Sequence, residues 1–334
     1  MKTAATLPAL IERYFCDRLI RQQQASANTI ASYRDTFRLL FQFAQSHLGK
    51  APSSLNLEDI DAGLVSAFLD NLERHRSATE RTRNLRLTAI RSFFRYVSYE
   101  EPAYSAHVLR VLAIPNKRHD KRMVPFLERS EVEALLAAPD RSTWLGRRDY
   151  ALLLVAVQTG LRLSELTGLE RSSVVLGAGA HIHCHGKGRK ERCTPITRPV
   201  SAVLRAWLAE PKRSRGSDML FPTIYGGRMS PDAVQYAVAK YVSIACAHCS
   251  SLRHKRVTPH VLRHSAAMAL LQAGVDSSVI AMWLGHESVE TTQVYLEAHI
   301  ALKEAALEKI TPLQGRKATR YRPGDRLLQF LNAL

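Results

Sequence analysis

Apolar residues recur every three or four positions through four stretches of the first hundred residues, 6–24, 28–49, 56–75 and 78–101. That spacing buries one stripe of a helix. Asn or Thr stands near several of the starts as a candidate cap, so the pattern predicts a helical bundle. In the last stretch Leu87, Ile90, Phe94 and Val97 form the apolar side, while Arg81, Arg83, Arg86, Arg91 and Arg95 supply positive charge. By itself such a face is as readily a solvated surface of a core helix as a binding face.

The periodicity breaks after residue 110. Pro115 and Pro125 bracket Lys117, Arg118, Lys121 and Arg122, a composition that suits an exposed linker. This predicts a helical domain at 1–110, a basic linker at 111–125 and a second domain from 126. There an amphipathic helix starts near Ser130, and a strongly apolar one at 147–159 is closed by Gly160 as a left-handed cap. Residues 181–196 alternate and turn at Gly186-Lys187-Gly188, which predicts a hairpin returning into Pro195. Thr258 caps the next helix, Pro259 is its first residue and Gly274 marks its end. A short helix closed by Gly285 follows, then another carrying Tyr295. The fold class expected is mainly α with a small β-sheet in the second domain.

Composition narrows the partners. The 334 residues, 46% of them hydrophobic, suffice for two cores. The 47 Lys and Arg against 30 Asp and Glu leave a formal charge of +17, which suits a polyanion, with nucleic acid ahead of a membrane surface. Glu12, Arg13 and Asp17 interrupt the N-terminal stretch before a signal-like apolar region develops, and the longest apolar run is Tyr150 to Val157. Neither secretion nor membrane spanning is expected. Five cysteines without framework spacing fit a reducing compartment.

Candidate chemistry gathers after Gly160. Arg162 and Glu165 are three residues apart and can share one helix face. Lys187 stands at the tip of the hairpin turn, without the spacing of a nucleotide-binding loop. His260 and Arg263 lie in the first helical turn after Pro259, where free backbone N–H groups and the positive dipole end favour an anion and a guanidinium can grip two oxygens. His286 lies just past Gly285, nine residues before Tyr295.

Together, Arg162 in "TGLRLSEL", Lys187 in "GKGRKERCTP", the His260-x-x-Arg263 of "VTPHVLRHS", His286 in "LGHES" and Tyr295 in "TTQVY" resemble the active-site signature of the tyrosine recombinases, the phage integrase family. The order and approximate spacing also match. The N-terminal half is similar to the family's helical, SAM-like core-binding domain, through less specific motifs. The resemblance covers most of residues 8–310. It implies a catalytic domain at 126–310; residues 311–334 extend beyond the family's minimal core and read from their composition and spacing as a basic tether and an amphipathic helix with Leu327, Phe330, Leu331 and Leu334 on one face.

What it implies for the reaction is metal-independent cleavage and rejoining of DNA through a 3′-phosphotyrosyl bond, with no cofactor. Tyr295 would be the nucleophile. Arg162 and Arg263 would clamp the non-bridging oxygens, Lys187 would protonate the leaving 5′-oxygen, His260 would manage the tyrosine's proton and His286 would hydrogen-bond the phosphate. Glu165 would orient the arginines. The implied partner is double-stranded DNA held between the two domains, bound by a homotetramer on two DNA sites with or without accessory recombinases. The implied location is cytoplasmic, on the nucleoid. The wording of 260–307 is similar to recombinases of mobile elements, acting in integration, excision or transposition.

Other residues read differently. His264, one turn above His260, is a packing or supporting residue. His181, His183 and His185, and separately Cys246 and Cys249 with His248 and His254, have spacings that would allow zinc, but the resemblance requires no metal. Tyr33, Tyr96 and Tyr150 are ordinary helix tyrosines. The rival readings are relaxation of supercoils by a type IB topoisomerase-like reaction and a catalytically silent DNA-binding accessory protein.

Overall fold

A computed structural model describes residues 6–118, 124–186, 191–211, 218–285 and Thr292. The chain divides into two compact units, Met1–Lys121 and Arg122–Leu334.

The first unit is helical throughout. Helix α1 (Leu7–Arg13) continues as a π-helical stretch, Tyr14–Gln22, and is followed by α2 (Ala27–Leu48), α3 (Ala62–Arg76), α4 (Glu80–Glu100) and α5 (Ser105–Leu112). Ser26, Asp61 and Thr79 each accept a backbone N–H from the first turn of the following helix, which sets where α2, α3 and α4 begin. The stretch 56–75, expected as one helix, begins as a separate turn at Leu57–Asp59. Asn56 N–H is taken by the Asp59 carboxylate, so the backbone is capped locally before Asp61 starts α3.

Tyr14, Phe37, Phe93 and Phe94 pack edge-to-face at the centre, with Tyr14–Phe93 and Phe37–Phe93 centroids both 5.4 Å apart. The Tyr14 hydroxyl donates to Ser92 Oγ at 2.8 Å. Arginines of α4 tie this core to its surroundings: Arg86 donates to Ser32 O and to Thr36 Oγ1, Arg83 to Pro115 O, and Arg91 to Ile114 O and Asn116 Oδ1. Residues 111–114, expected to open the linker, belong to this core through the buried Val111 and Ile114.

The second unit contains α6 (Arg129–Ala137), α7 (Trp144–Thr159), α8 (Leu163–Thr167), β1 (Val174–Val175), β2 (His181–His185), β3 (Glu191–Pro195), α9 (Arg198–Ala209), α10 (Pro231–Ala245), α11 (Pro259–Gln272) and α12 (Ser277–Leu284). The strands form one antiparallel sheet in the order β1-β2-β3, with Ile182 opposite Thr194 and Cys184 opposite Arg192. This is the mainly helical fold with a small sheet that the pattern predicts.

Helix α7 lies at the centre, its Leu152, Leu153 and Val155 fully buried, and packs against α9 and α11. Two buried charges anchor it: Arg148 donates from Nε and Nη2 to Asp149 Oδ1, and Asp149 Oδ2 accepts from the Tyr241 hydroxyl of α10 at 2.8 Å. A smaller cluster of Ala267, Met268, Leu271, Ile280 and Leu284 joins α11 to α12. No helix among the described residues is long and apolar enough to cross a membrane.

Phe94 is fully buried, so Phe94→Ala is expected to destabilise the first unit by about 3–5 kcal/mol. Hydrogen exchange should then quicken in peptides from 27–112 and stay at the wild-type rate in peptides from α7 and α10; a uniform change would refute separate cores.

Candidate active site

The left-handed turn at Gly160 (φ +63°) reverses the chain after α7 and delivers Arg162 to the start of α8. Arg162 N–H donates to Glu165 Oε2 at 2.7 Å and its Nη1 to Glu165 Oε1 at 3.0 Å. Its Nη2 reaches Gly285 O at 2.8 Å. From α11, Arg263 sends Nη1 to Gly160 O at 2.6 Å and Nη2 to Leu284 O at 2.9 Å. Two arginines from distant segments therefore meet on consecutive carbonyls at the end of α12. Those carbonyls have no partner within their own helix and form its negative dipole end, a natural seat for cations.

Glu165 lies beneath this pair, with only 2% of its side chain exposed. Burial alone would raise its carboxyl pKa. Hydrogen bonds from Arg192 and the Arg162 backbone, the charge of Arg192 and a hydrogen bond from the Arg162 side chain outweigh that and hold it below the ordinary carboxylate range. Arg192 grips the carboxylate with both ends of its fork, Nη1 to Oε1 at 2.9 Å and Nη2 to Oε2 at 2.8 Å.

His260 occupies the second position of α11, behind the Thr258 cap and Pro259. Burial, and then the charges of Arg263 and Arg162, push its pKa below the ordinary histidine value. The ring is therefore neutral at neutral pH. His264 stands one turn on, its ring 5.5 Å from that of His260 and inclined at 62°; burial chiefly, with His260 and Arg263, pushes its pKa down to about 4.

The fold thus brings Arg162, Glu165, His260 and Arg263 together. Lys187, His286 and Tyr295 lie outside the described residues, as does the stretch 311–334. Arg192 was not singled out in the sequence. Its signal was a charged residue on the inward side of β3, two positions from the buried Thr194. Among the described residues no three His, Cys, Asp or Glu side chains are arranged to hold a metal ion. His181 is bonded to Gly179 O and His183 faces Glu191 at 3.3 Å.

Residues 125–301 match the Phage integrase family, and residues 11–101 match the phage integrase N-terminal SAM-like domain. The chain is 60% identical to "Putative integrase/recombinase y4rC" of Sinorhizobium fredii over 334 residues, all of both chains. It is 33% identical to the tyrosine recombinase XerD of Ralstonia nicotianae over 291 residues, 86% of this chain and 88% of that one. In fold it is similar to the site-specific recombinase XerH bound to its difH substrate, with a TM-score of 0.69, 23% identity and coverage of 85% and 80%. It is also similar to the Tn1549 transposon integrase in complex with circular intermediate DNA, with a TM-score of 0.67, 15% identity and coverage of 89% and 98%.

A Cβ on Gly160 would sit 2.6 Å from Leu284 Cδ2 and 3.2 Å from Ala266 Cβ, on a left-handed backbone. Gly160→Ala is expected to cost about 2–4 kcal/mol from strain and overpacking together. Gly274→Ala, left-handed but with nothing near its Cβ, should cost about 1–2 kcal/mol from the backbone alone. Equal losses in urea unfolding would show that the close approach of Gly160 to α12 contributes nothing.

Proposed function

The chain belongs to the phage integrase family and is a site-specific recombinase of the tyrosine type, and from that membership we propose which of its residues carry the reaction and on what substrate. The substrate is duplex DNA. The Tyr295 hydroxyl attacks phosphorus, the bond to the 5′-oxygen breaks, and a 3′-phosphotyrosine forms while a 5′-hydroxyl departs. In rejoining, a 5′-hydroxyl of the partner strand attacks that link and returns the phenol. Bond energy is retained in the covalent intermediate, so the exchange is isoenergetic.

The observation that carries this assignment is the convergence of Arg162 and Arg263 on the end of α12, with the neutral His260 beside them. Charge builds on the non-bridging oxygens as phosphorus becomes five-coordinate, and preorganised guanidiniums stabilise it without reorganising. Arg162 suits this role: its side chain is 25% exposed, and Glu165 and Gly285 O engage only part of a guanidinium that has five N–H donors. A neutral imidazole can accept the phenol proton, which a tyrosine with a pKa near 10 otherwise keeps. Lys187 supplies the proton to the 5′-oxygen and His286 hydrogen-bonds the phosphate. Glu165 positions Arg162. The unit that acts is a tetramer on two DNA sites, in the movement of a mobile element, in the cytoplasm on the nucleoid.

The test is a duplex from DNA flanking the gene, nicked near the crossover so that cleavage is trapped, incubated with protein in EDTA and resolved on a denaturing gel. A covalent protein–DNA band that disappears in Tyr295→Phe is expected. Specific binding to a site-bearing duplex with no such band would replace this proposal by the accessory-protein role.

The lowered pKa of His260 gives a second check. A base works only when unprotonated, so the half-loss of the cleavage rate on acidification should come below pH 6.5, the ordinary histidine value. Half-loss at or above pH 7 would exclude His260 as the acceptor.

A further inference from the structure

We propose that Arg192 is a positioning residue of this active site: it compensates the charge of Glu165, so that Arg162 remains a full cation for the phosphate, and it links the paired strands β2 and β3 to the Gly285 turn. The inference rests on the catalytic reading of Arg162 given above. Three observations converge on it.

The first is the sharing of one carboxylate. Glu165 Oε1 accepts from both Arg162 Nη1 and Arg192 Nη1, and Oε2 from the Arg162 backbone N–H and Arg192 Nη2. With 2% and 13% of their side chains exposed, Glu165 and Arg192 have little water to screen them. A buried carboxylate paired with Arg162 alone would hold that guanidinium in place and cancel its charge. With two guanidiniums on one carboxylate, the group keeps one net positive charge, on the side where Arg162 is exposed.

The second is contact with the end of α12. A Cβ on Gly285 would lie 2.6 Å from Arg192 Nη1 and 3.2 Å from Cζ, so the guanidinium is seated against this glycine. The Gly285 carbonyl accepts from Arg162. Arg192 therefore supports, from the opposite side, the turn that Arg162 grips.

The third is its place in the chain. Arg192 is on β3, which begins four positions after Lys187 in the sequence, and is paired with Cys184 of β2. One side chain thus ties the paired strands, the start of α8 and the end of α12 together. A purely structural ion pair would need only the Glu165 contact.

The experiment is single-turnover cleavage of the nicked duplex at saturating protein, with DNA affinity and melting temperature measured separately, for the wild-type chain, Arg192→Gln, Arg192→Lys and the double variant Glu165→Gln/Arg192→Gln. Arg192→Gln should lower the first-order cleavage rate about 10- to 100-fold, with DNA affinity within about three-fold of wild type. Arg192→Lys, which keeps charge without the fork, should fall between wild type and Arg192→Gln; if Arg192→Gln does not fold, a lower cleavage rate in Arg192→Lys at wild-type DNA affinity carries the test. The double variant should cleave faster than Arg192→Gln, because Arg162 regains its charge when the carboxylate is neutral.

A folded Arg192→Gln that cleaves within about two-fold of wild type overturns the proposal. So does a loss confined to DNA affinity, or a double variant slower than the single. If the wild-type chain itself forms no covalent product, the catalytic reading fails instead, and this inference falls with it.

Discussion

The site depends on one buried carboxylate. Taking Glu165 out of water is costly, and the cost is offset only because four donors from two arginines surround it. Removing any one partner of such a group leaves a buried charge unmet, which typically costs about 3–5 kcal/mol. A well-packed apolar residue could hold α8 against β3 as firmly. The ionic arrangement is retained, in this view, because the site requires cations held rigidly and cannot hold them without a counter-charge. The depressed pKa of Glu165 means that the counter-charge persists throughout the neutral range.

The strongly basic composition is easily read as a single electrostatic surface for nucleic acid, and the structure divides it differently. Arg83 and Arg148 are buried, and Arg83, Arg86 and Arg91 donate to carbonyls and hydroxyls within the first unit. Arg148 is spent on Asp149 and on Pro222 O. These guanidiniums act as multivalent hydrogen-bond donors whose charge cannot easily be removed, a role that lysine fills poorly. Net charge therefore indicates the class of partner, while burial decides which arginines are free to meet it.

The helices were legible because their signals are local. Ser26, Thr79 and Thr258 cap where side chains of that type should, and Gly160 closes α7 in the left-handed conformation expected of it. Arg162, Glu165, His260 and Arg263 were legible through motif order. The less visible parts are those set by tertiary contact. Nothing in the period of residues 14–22 marks a π-helical stretch, and Asn56 and Asp61 offer two successive starts between which periodicity cannot choose. Arg192 is the clearest case: its neighbours in sequence are those of a polar strand, whereas its neighbours in space are Glu165 and Gly285, 27 and 93 positions away (192 − 165 and 285 − 192).

Apolar packing sets how accurately these charges are placed. Arg263 reaches Gly160 O and Leu284 O only because the α7 turn approaches α12 so closely that no Cβ fits between them. The Trp283 indole N–H donates to Thr159 O at 3.1 Å and locks the same approach from a neighbouring position. Interiors at this packing density do not yield gradually, so displacement of α12 would move two acceptor carbonyls together and carry both guanidiniums with them. The geometry of the cations is thus inherited from the α7–α11–α12 core, and their charge is maintained by Glu165 with Arg192. A substitution in that core can therefore disturb the site without touching a polar atom, whereas one at Arg192 acts on the site directly, through the charge balance and the Gly285 turn it supports.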